Sequence, residues 1–245
     1  MLALGTWAGQ DLVNNEHSTA TFVLTSNDPI RAGIIRSADD SGYDHIFVEC
    51  DSNRYKRQIE LFHDIIGFER LGVIFEDSED GRICANYTDL EKVSKKRNFK
   101  LIICYADEGK TEMESFENAK RSYQILAPIV DAMWVGLHQG ESVEFLPELL
   151  KPMYDFHVPT WCVLREPAVE NGVLLSITHQ NFDEIGLWYA QNIAKIFNGA
   201  KPRELSQIFK EESHILINKE AARRIKYKIP ETLLGLGIAE KYMIK

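Results

Sequence analysis

The chain has 245 residues, 44% hydrophobic and 27% charged, with 8 Pro and 15 Gly scattered along it; this excludes the disordered and collagen-like classes and is enough to bury a core. Its 37 acidic residues against 28 basic ones give a net charge of −9, the wrong sign for a protein that holds phosphate backbones, so no nucleic-acid partner is expected. The longest uncharged apolar stretches, Ile125–Val130 and Ala132–Leu137, are broken by Pro128 and Asp131 and fall far short of the ~20 residues of a membrane span.

In chain order, the opening Met1-Leu2-Ala3-Leu4-Gly5-Thr6-Trp7 reads as strand then turn and carries no export leader. Leu2–Leu4 is followed by a helical stretch at Trp7–Asn15, strands at Ala20–Thr25 and His45–Glu49, and a helix at Tyr55–Ile66. Then come strand Arg70–Glu76, helix Ile83–Asn98, strand Lys100–Tyr105, helix Thr111–Leu126, strand Ala132–Leu137 and helix Val143–Phe156. Strands Thr160–Leu164 and Val173–Ile177, helix Phe182–Asn198 and a β-like segment at His214–Ile217 complete the series. The strands are continuous apolar runs, as in parallel sheets covered on both faces, and the helices carry apolar residues three and four apart. Strand and helix in alternation predict an α/β plan.

Residues 54–165 hold four strands with their helices, enough for a second lobe of its own. Residues 1–50 and 173–245 are expected to form the first lobe, with hinge crossovers near 50–53 and 165–172. With three strands before Glu49 and no strand ahead of Leu2 to cover its edge, that first lobe reads as incomplete.

The four cysteines, Cys50, Cys84, Cys104 and Cys162, show no Cys-x-x-Cys and no His at ligand spacing, so no metal site and no redox dithiol is expected. The acidic run Glu76–Gly81 lacks the chelating Glu of a calcium loop. Gly235–Glu240 lacks the third glycine of a dinucleotide fingerprint. No nucleophile elbow, P-loop or paired-carboxylate pattern appears, and neither an enzymatic activity nor a cofactor is expected.

Four passages, in order, resemble one family. Gly5-Thr6-Trp7-Ala8-Gly9 is similar to its Gly-Thr-Pro-Ala-Ala turn, and Thr21–Pro29 with Ala32-Gly33 to its apolar strand, Ser/Thr-Asp-Pro turn and Ala-Gly-Leu helix. Arg57–Ile66 with Arg70–Phe75 resembles the glutamine-rich helix and Gly-Val-Leu strand by which its chain enters the second lobe. The tail is most specific: Asp183–Gly186, Ile196–Pro202, His214–Asn218 with Ala221-Ala222, and Ile229–Leu234 follow the family in spacing. On these residues the chain resembles the substrate-binding proteins of ABC transporters grouped with tryptophan- and tyrosine-type solute receptors. The resemblance implies a two-lobed type I periplasmic-binding-like fold, parallel sheets flanked by helices, with a small-molecule solute in the interlobe cleft. It also implies an ABC permease as partner and a periplasmic or extracytoplasmic place, and it starts at the family's third strand. A ligand-sensing regulatory module with the same fold and no transport role is the alternative.

Candidate ligand-binding residues follow from the resemblance. Thr6 opens a helix and either caps it or reaches a ligand carboxylate. Trp7 stands at the family's proline position and either stacks on a ligand or packs. Ser26 and Asn27, before Pro29, hold a turn or touch ligand. His138, Gln139, Glu141 and Ser142 follow a strand where the family has an Asn/Thr turn, and of these Gln139 and Glu141 are the candidates. Arg165 and Glu166 occupy a crossover that in the family is acidic; Arg165 either meets an anionic ligand group or pairs with Glu166 or Glu170. Asn181 replaces a common Asp. With two acid positions read as Arg165 and Asn181, a carboxylate-bearing or neutral heteroaromatic solute is expected over a cationic one.

Overall fold

The computed structural model describes residues 1–26, 28–51, 53–177, 182–209, 214–230 and 243–244. The chain divides into two compact units, Met1–Arg54 with Gln180–Glu212, and Tyr55–His179 with Ser213–Lys245.

Unit 1 starts with strand β1 (Leu2–Leu4), helix α1 (Thr6–Leu12) and strands β2 (Thr21–Leu24) and β3 (Ile46–Val48), which form a parallel sheet in the order β1-β2-β3. β1 ends at Gly5, whose φ of 87° is open to glycine and places its N–H on the Leu24 carbonyl at 2.9 Å. On one face Ala3, Val23, Ile46 and Val48 pack with Ile34, Ile35 and Cys50. Gly9 of α1 approaches that core so closely that a Cβ would lie 2.7 Å from Val23 Cγ1.

Unit 2 carries the larger core. Helix α2 (Arg54–Ile66) buries Gln58, Ile59 and Phe62 against strand β4 (Arg70–Phe75). The expected single helix 83–98 is two, α3 (Glu79–Cys84) and α4 (Tyr87–Arg97), because Asn86 between them adopts φ 58°, a left-handed conformation that interrupts a right-handed helix. Ser78 caps α3 by accepting from Gly81 N at 3.0 Å. Strand β5 (Lys100–Tyr105) matches its predicted bounds, and helix α5 (Glu112–Leu126) is capped by Thr111, whose hydroxyl accepts from Glu114 N at 3.2 Å. Strand β6 (Ala132–Val135) leads into a short 3-10 turn at Gln139–Glu141. The expected helix 143–156 is shorter and divided, α6 (Leu146–Leu149) and α7 (Lys151–Asp155), each with a proline in its first turn. Strand β7 (Thr160–Cys162), helix α8 (Glu166–Glu170) and strand β8 (Leu175–Ile177) complete this segment.

The chain then supplies helix α9 (Phe182–Phe197) to unit 1. Its Trp188 packs at a tilt against Phe47 of β3, ring centroids 5.4 Å apart, and Phe47 likewise against Phe22 of β2 at 4.9 Å, which covers the second face of that sheet. Tyr189 donates to Glu49, and Cys50 N donates to Gln207 O at 2.8 Å. Finally strand β9 (Ile215–Asn218), helix α10 (Lys219–Arg224) and strand β10 (Met243–Ile244) return to unit 2.

The unit 2 sheet runs β10-β9-β8-β7-β6-β4-β5, parallel throughout except for the antiparallel pair β8–β9. Leu71, Val73 and Phe75 point into one core with Leu90, Trp134 and Trp161, while Ile74 enters the other with Tyr123, Leu126 and Met133. Each such fully buried large side chain contributes about 1.5–3 kcal/mol relative to an exposed one. Trp161 Nε1 donates to Gln58 Oε1 at 3.1 Å inside this apolar setting.

Of residues 173–245, expected in the first lobe, 180–212 fall in unit 1 with residues 1–54, and the rest belong to unit 2. β8 and β9 belong to the unit 2 sheet, with Leu175 opposite Ile217 and Ser176 opposite Leu216. Asn218 Nδ2 also donates to Val169 O at 2.6 Å. The chain therefore passes between the units three times, at 54/55, beside the expected crossover near 50–53, and at 179/180 and 212/213 in place of one near 165–172.

Candidate functional site

In parallel α/β sheets the loops at the carboxyl ends of strands carry the side chains that meet ligands. In unit 1 that end brings together Thr6, after β1, and Ser26, after β2. Their hydroxyl oxygens are 3.3 Å apart. Adjacent strands in register produce the meeting, since Leu4 pairs with Leu24. Gly5, not Thr6, is the N-cap of α1, and Thr6 is its first helical residue, so its hydroxyl is directed at Ser26 instead of capping. Trp7 is 77% exposed. An indole left in water in the first turn of α1 offers a flat apolar surface. Asn27 lies outside the described residues.

In unit 2 the corresponding end of β6 forms a tightly bonded turn. Glu141 is fully buried: Tyr123 OH donates to Oε1 at 2.7 Å and Gly136 N to Oε2 at 3.1 Å. Burial raises its carboxyl from the ordinary 4.5 to about 8. The expected ligand contact of Glu141 is corrected on this ground, because both oxygens face protein donors and none of its surface faces solvent. Gln139 in contrast is exposed, and its Oε1 accepts from Ser115 Oγ at 2.8 Å. His138, also buried, bonds Ala106 O through Nε2 at 3.0 Å, and burial lowers its pKa.

Arg165 follows β7 with φ 62° and ψ −138° and is 5% exposed, so its side chain is buried. Glu166, the first residue of α8, is half-buried. Asn181 lies outside the described residues, as does the glycine pattern Gly235–Glu240. The sequence reading missed Tyr123, Ser115 and Glu108, whose carboxylate accepts from Gln139 N at 3.1 Å. Ser115 and Ser122, seven apart on the buried face of α5, were the available signal for polar groups behind the turn.

Two depressions among the described residues of unit 2 lie elsewhere. One of about 470 Å3 is lined by Lys151, Tyr154, Asp155, His157 and Arg224, and one of about 240 Å3 includes Gly172, Asn218 and Glu220. His157 and Gly172 precede β7 and β8, and Asn218 ends the antiparallel β9. Both depressions therefore mark the amino ends of the parallel strands, away from the loops described above.

The sequence matches the ABC transporter substrate binding protein family over residues 1–240. The chain belongs to that family. Among curated proteins none matches it. Its fold is shared by a conserved domain protein from Vibrio cholerae O1 biovar eltor (TM-score 0.75, 20% identity), with 100% of this chain aligned to 77% of that one. An ABC domain from Streptococcus pneumoniae, solved in complex with L-Trp, aligns at TM-score 0.73 and 20% identity, over 100% of this chain and 80% of that one. A ligand-free, open substrate binding protein with adhesive properties from Clostridium difficile gives TM-score 0.70 and 15% identity, over 99% of this chain and 76% of that one. At these identities the structural likeness establishes the fold, mixed α/β with mostly parallel sheets flanked by helices, and the family match establishes the class. Among the described residues no helix is long and apolar enough to cross a membrane.

Proposed function

We propose that this chain is the solute-binding component of an ABC-type importer, taking a small polar organic solute, amino-acid-like or carboxylate-bearing, with an ABC permease as its partner and an extracytoplasmic place of action. The observation that carries the reading is the hydroxyl pair Thr6–Ser26 at 3.3 Å next to the 77% exposed Trp7, in a chain whose family is defined by substrate binding. Hydroxyls both donate and accept, which suits a carboxylate or amide, and the indole stacks on a flat or apolar part. The complex of the Streptococcus pneumoniae relative with L-Trp supports the amino-acid class.

The ligand's charge follows from the acids. Glu141 is buried and bonded, and Asn181 carries no charge. Glu166, Asn27 and Gln139 are the remaining candidates for polar contact, and Arg165 contributes through the field of its charge. One half-buried acid is poor provision for an obligatory ammonium group, so the reading favours an anionic or neutral head.

Isothermal titration tests this with L-tryptophan, L-tyrosine and L-leucine, and with indole-3-propionate, which differs from L-tryptophan only in the amine. Binding of the tryptophan pair within tenfold of one another, weakened at least tenfold by Trp7→Ala and by Ser26→Ala, is the expected result. No heat with any carboxylate, or a strict requirement for the amine that Arg165→Ala leaves untouched, overturns it.

A further inference from the structure

The turn after β6 is built around an acid that faces no solvent. Glu141 collects the Tyr123 hydroxyl at 2.7 Å and the Gly136 amide at 3.1 Å, and its own N–H donates to His138 O at 2.8 Å. His138 closes the other side: its Nδ1 accepts from Gly140 N at 3.0 Å, which leaves the proton on Nε2 for Ala106 O at 3.0 Å, so its ring is the neutral tautomer. Gly140 lies so near helix α5 that a Cβ would stand 2.2 Å from the Ser115 carbonyl oxygen. Ser115 Oγ then holds Gln139 Oε1 at 2.8 Å, which leaves the Nε2 amide of that exposed side chain as its outward donor.

The residue type matters. A glutamine at 141 has one acceptor oxygen; with that oxygen on Gly136 N–H its N–H2 meets the Tyr123 oxygen, so the hydroxyl must turn from donor to acceptor and the side chain accepts one bond instead of two. A carboxyl accepts on both oxygens, from Tyr123 on one and from Gly136 on the other. The titratable groups around it are Tyr123 of α5, Cys162 of β7 and His138 of the turn, with Glu108 and Glu76 acting on His138. None of these is a cation.

We propose that Glu141 is the positioning residue of this turn: it touches no solute, and by gathering the Tyr123 hydroxyl and the Gly136 amide while its own N–H holds His138 O it fixes Gln139 so that its side-chain N–H2 is presented to a carboxylate or other acceptor group of the solute. This rests on the solute-binding reading above. A donor held in place in advance avoids the ordering cost of a free glutamine side chain on binding.

The test uses the full chain without solute, so that the turn is examined separately from the reading it rests on. In ¹H–¹⁵N spectra the Gly136 amide of the wild type is expected to titrate with a midpoint near 8, as the carboxyl it donates to ionises. Glu141→Gln abolishes that titration, speeds exchange of the Gly136 and Gly140 amides at least tenfold, and moves the Gln139 side-chain N–H2 resonances to their solvent-exposed positions. Tyr123→Phe, which removes one bond, gives a smaller change of the same kind, and it decides the matter if Glu141→Gln does not fold. Unchanged Gly140 exchange and Gln139 resonances in the folded variant, or a Gly136 titration that survives Glu141→Gln, overturns the proposal. A wild-type chain with these turn signatures but no response to any solute above counts against solute binding alone.

Discussion

Replacing Gly140 by alanine probes the turn at its tightest point. The new Cβ would lie 2.2 Å from Ser115 O, 2.6 Å from Ser115 C and 2.9 Å from Phe116 N, all backbone atoms of α5. Ordinary carbon–oxygen contacts are about 3.3 Å or longer, so one partner must move by about 1 Å. Ser115 is fully buried inside α5, which packs Ala119, Tyr123 and Leu126 into the unit 2 core, so the turn moves. Displacement breaks Gly140 N to His138 Nδ1 and Ser115 Oγ to Gln139, and weakens the donors of buried Glu141. Two hydrogen bonds at about 1 kcal/mol each and a partly unsatisfied buried acid at about 1 kcal/mol give a loss of about 3 kcal/mol. With a urea slope of about 2 kcal/mol per molar, the unit 2 midpoint falls by about 1.5 M. Hydrogen-exchange mass spectrometry across a urea series reads this for unit 2 peptides. Gly67→Ala is the control: its φ of 72° with open space around it predicts about 1 kcal/mol from backbone strain alone. A Gly140→Ala loss no larger than that of the control would refute the close-approach argument.

Gly186 stands inside α9, and a Cβ added there would meet nothing within 4 Å, so Gly186→Ala should stabilise unit 1 by about 0.5–1 kcal/mol through reduced chain entropy; a lower unit 1 urea midpoint contradicts this. The carboxyl of Glu141 is raised in the folded chain from 4.5 to about 8, so its stabilising contribution is complete below 4.5 and is lost as pH rises to about 8. Urea midpoints of unit 2 should therefore fall between pH 5 and 8 in the wild type and not in Glu141→Gln, and equal slopes in the two would count against it. His45 is lowered from 6.5 by burial and by His17, whose ring lies 4.7 Å away, so its contribution is present above 6.5 and lost as pH falls below that. Unit 1 should lose stability from pH 7.5 to 5, and His45→Asn should reduce that loss; an undiminished slope in the variant removes His45 as its source.

Local pattern determined most of the elements. A run such as Lys100–Tyr105 shows its strand in six consecutive residues, and the 3.6 period in Arg54–Ile66 shows a helix with Ile59 and Phe62 inward, because both signals are complete within a few residues of chain. The break at Asn86 is less legible, since a left-handed residue leaves no mark on hydrophobic period. Thr6 and Ser26 read in the sequence as two separate loops, and the register Leu4 to Leu24 makes them a pair. What the tertiary structure decided is membership and burial. Ile215–Asn218 reads as a strand in any sheet, and its place beside β8 is set by contacts some forty residues away, Leu175 with Ile217 and Asn218 with Val169. Glu141 looks like any loop acid, yet Tyr123, eighteen residues back on another element, encloses it. Sidedness within one element is written in the sequence; which distant element closes over a side chain depends on the packing of the whole sheet, and no local window contains it.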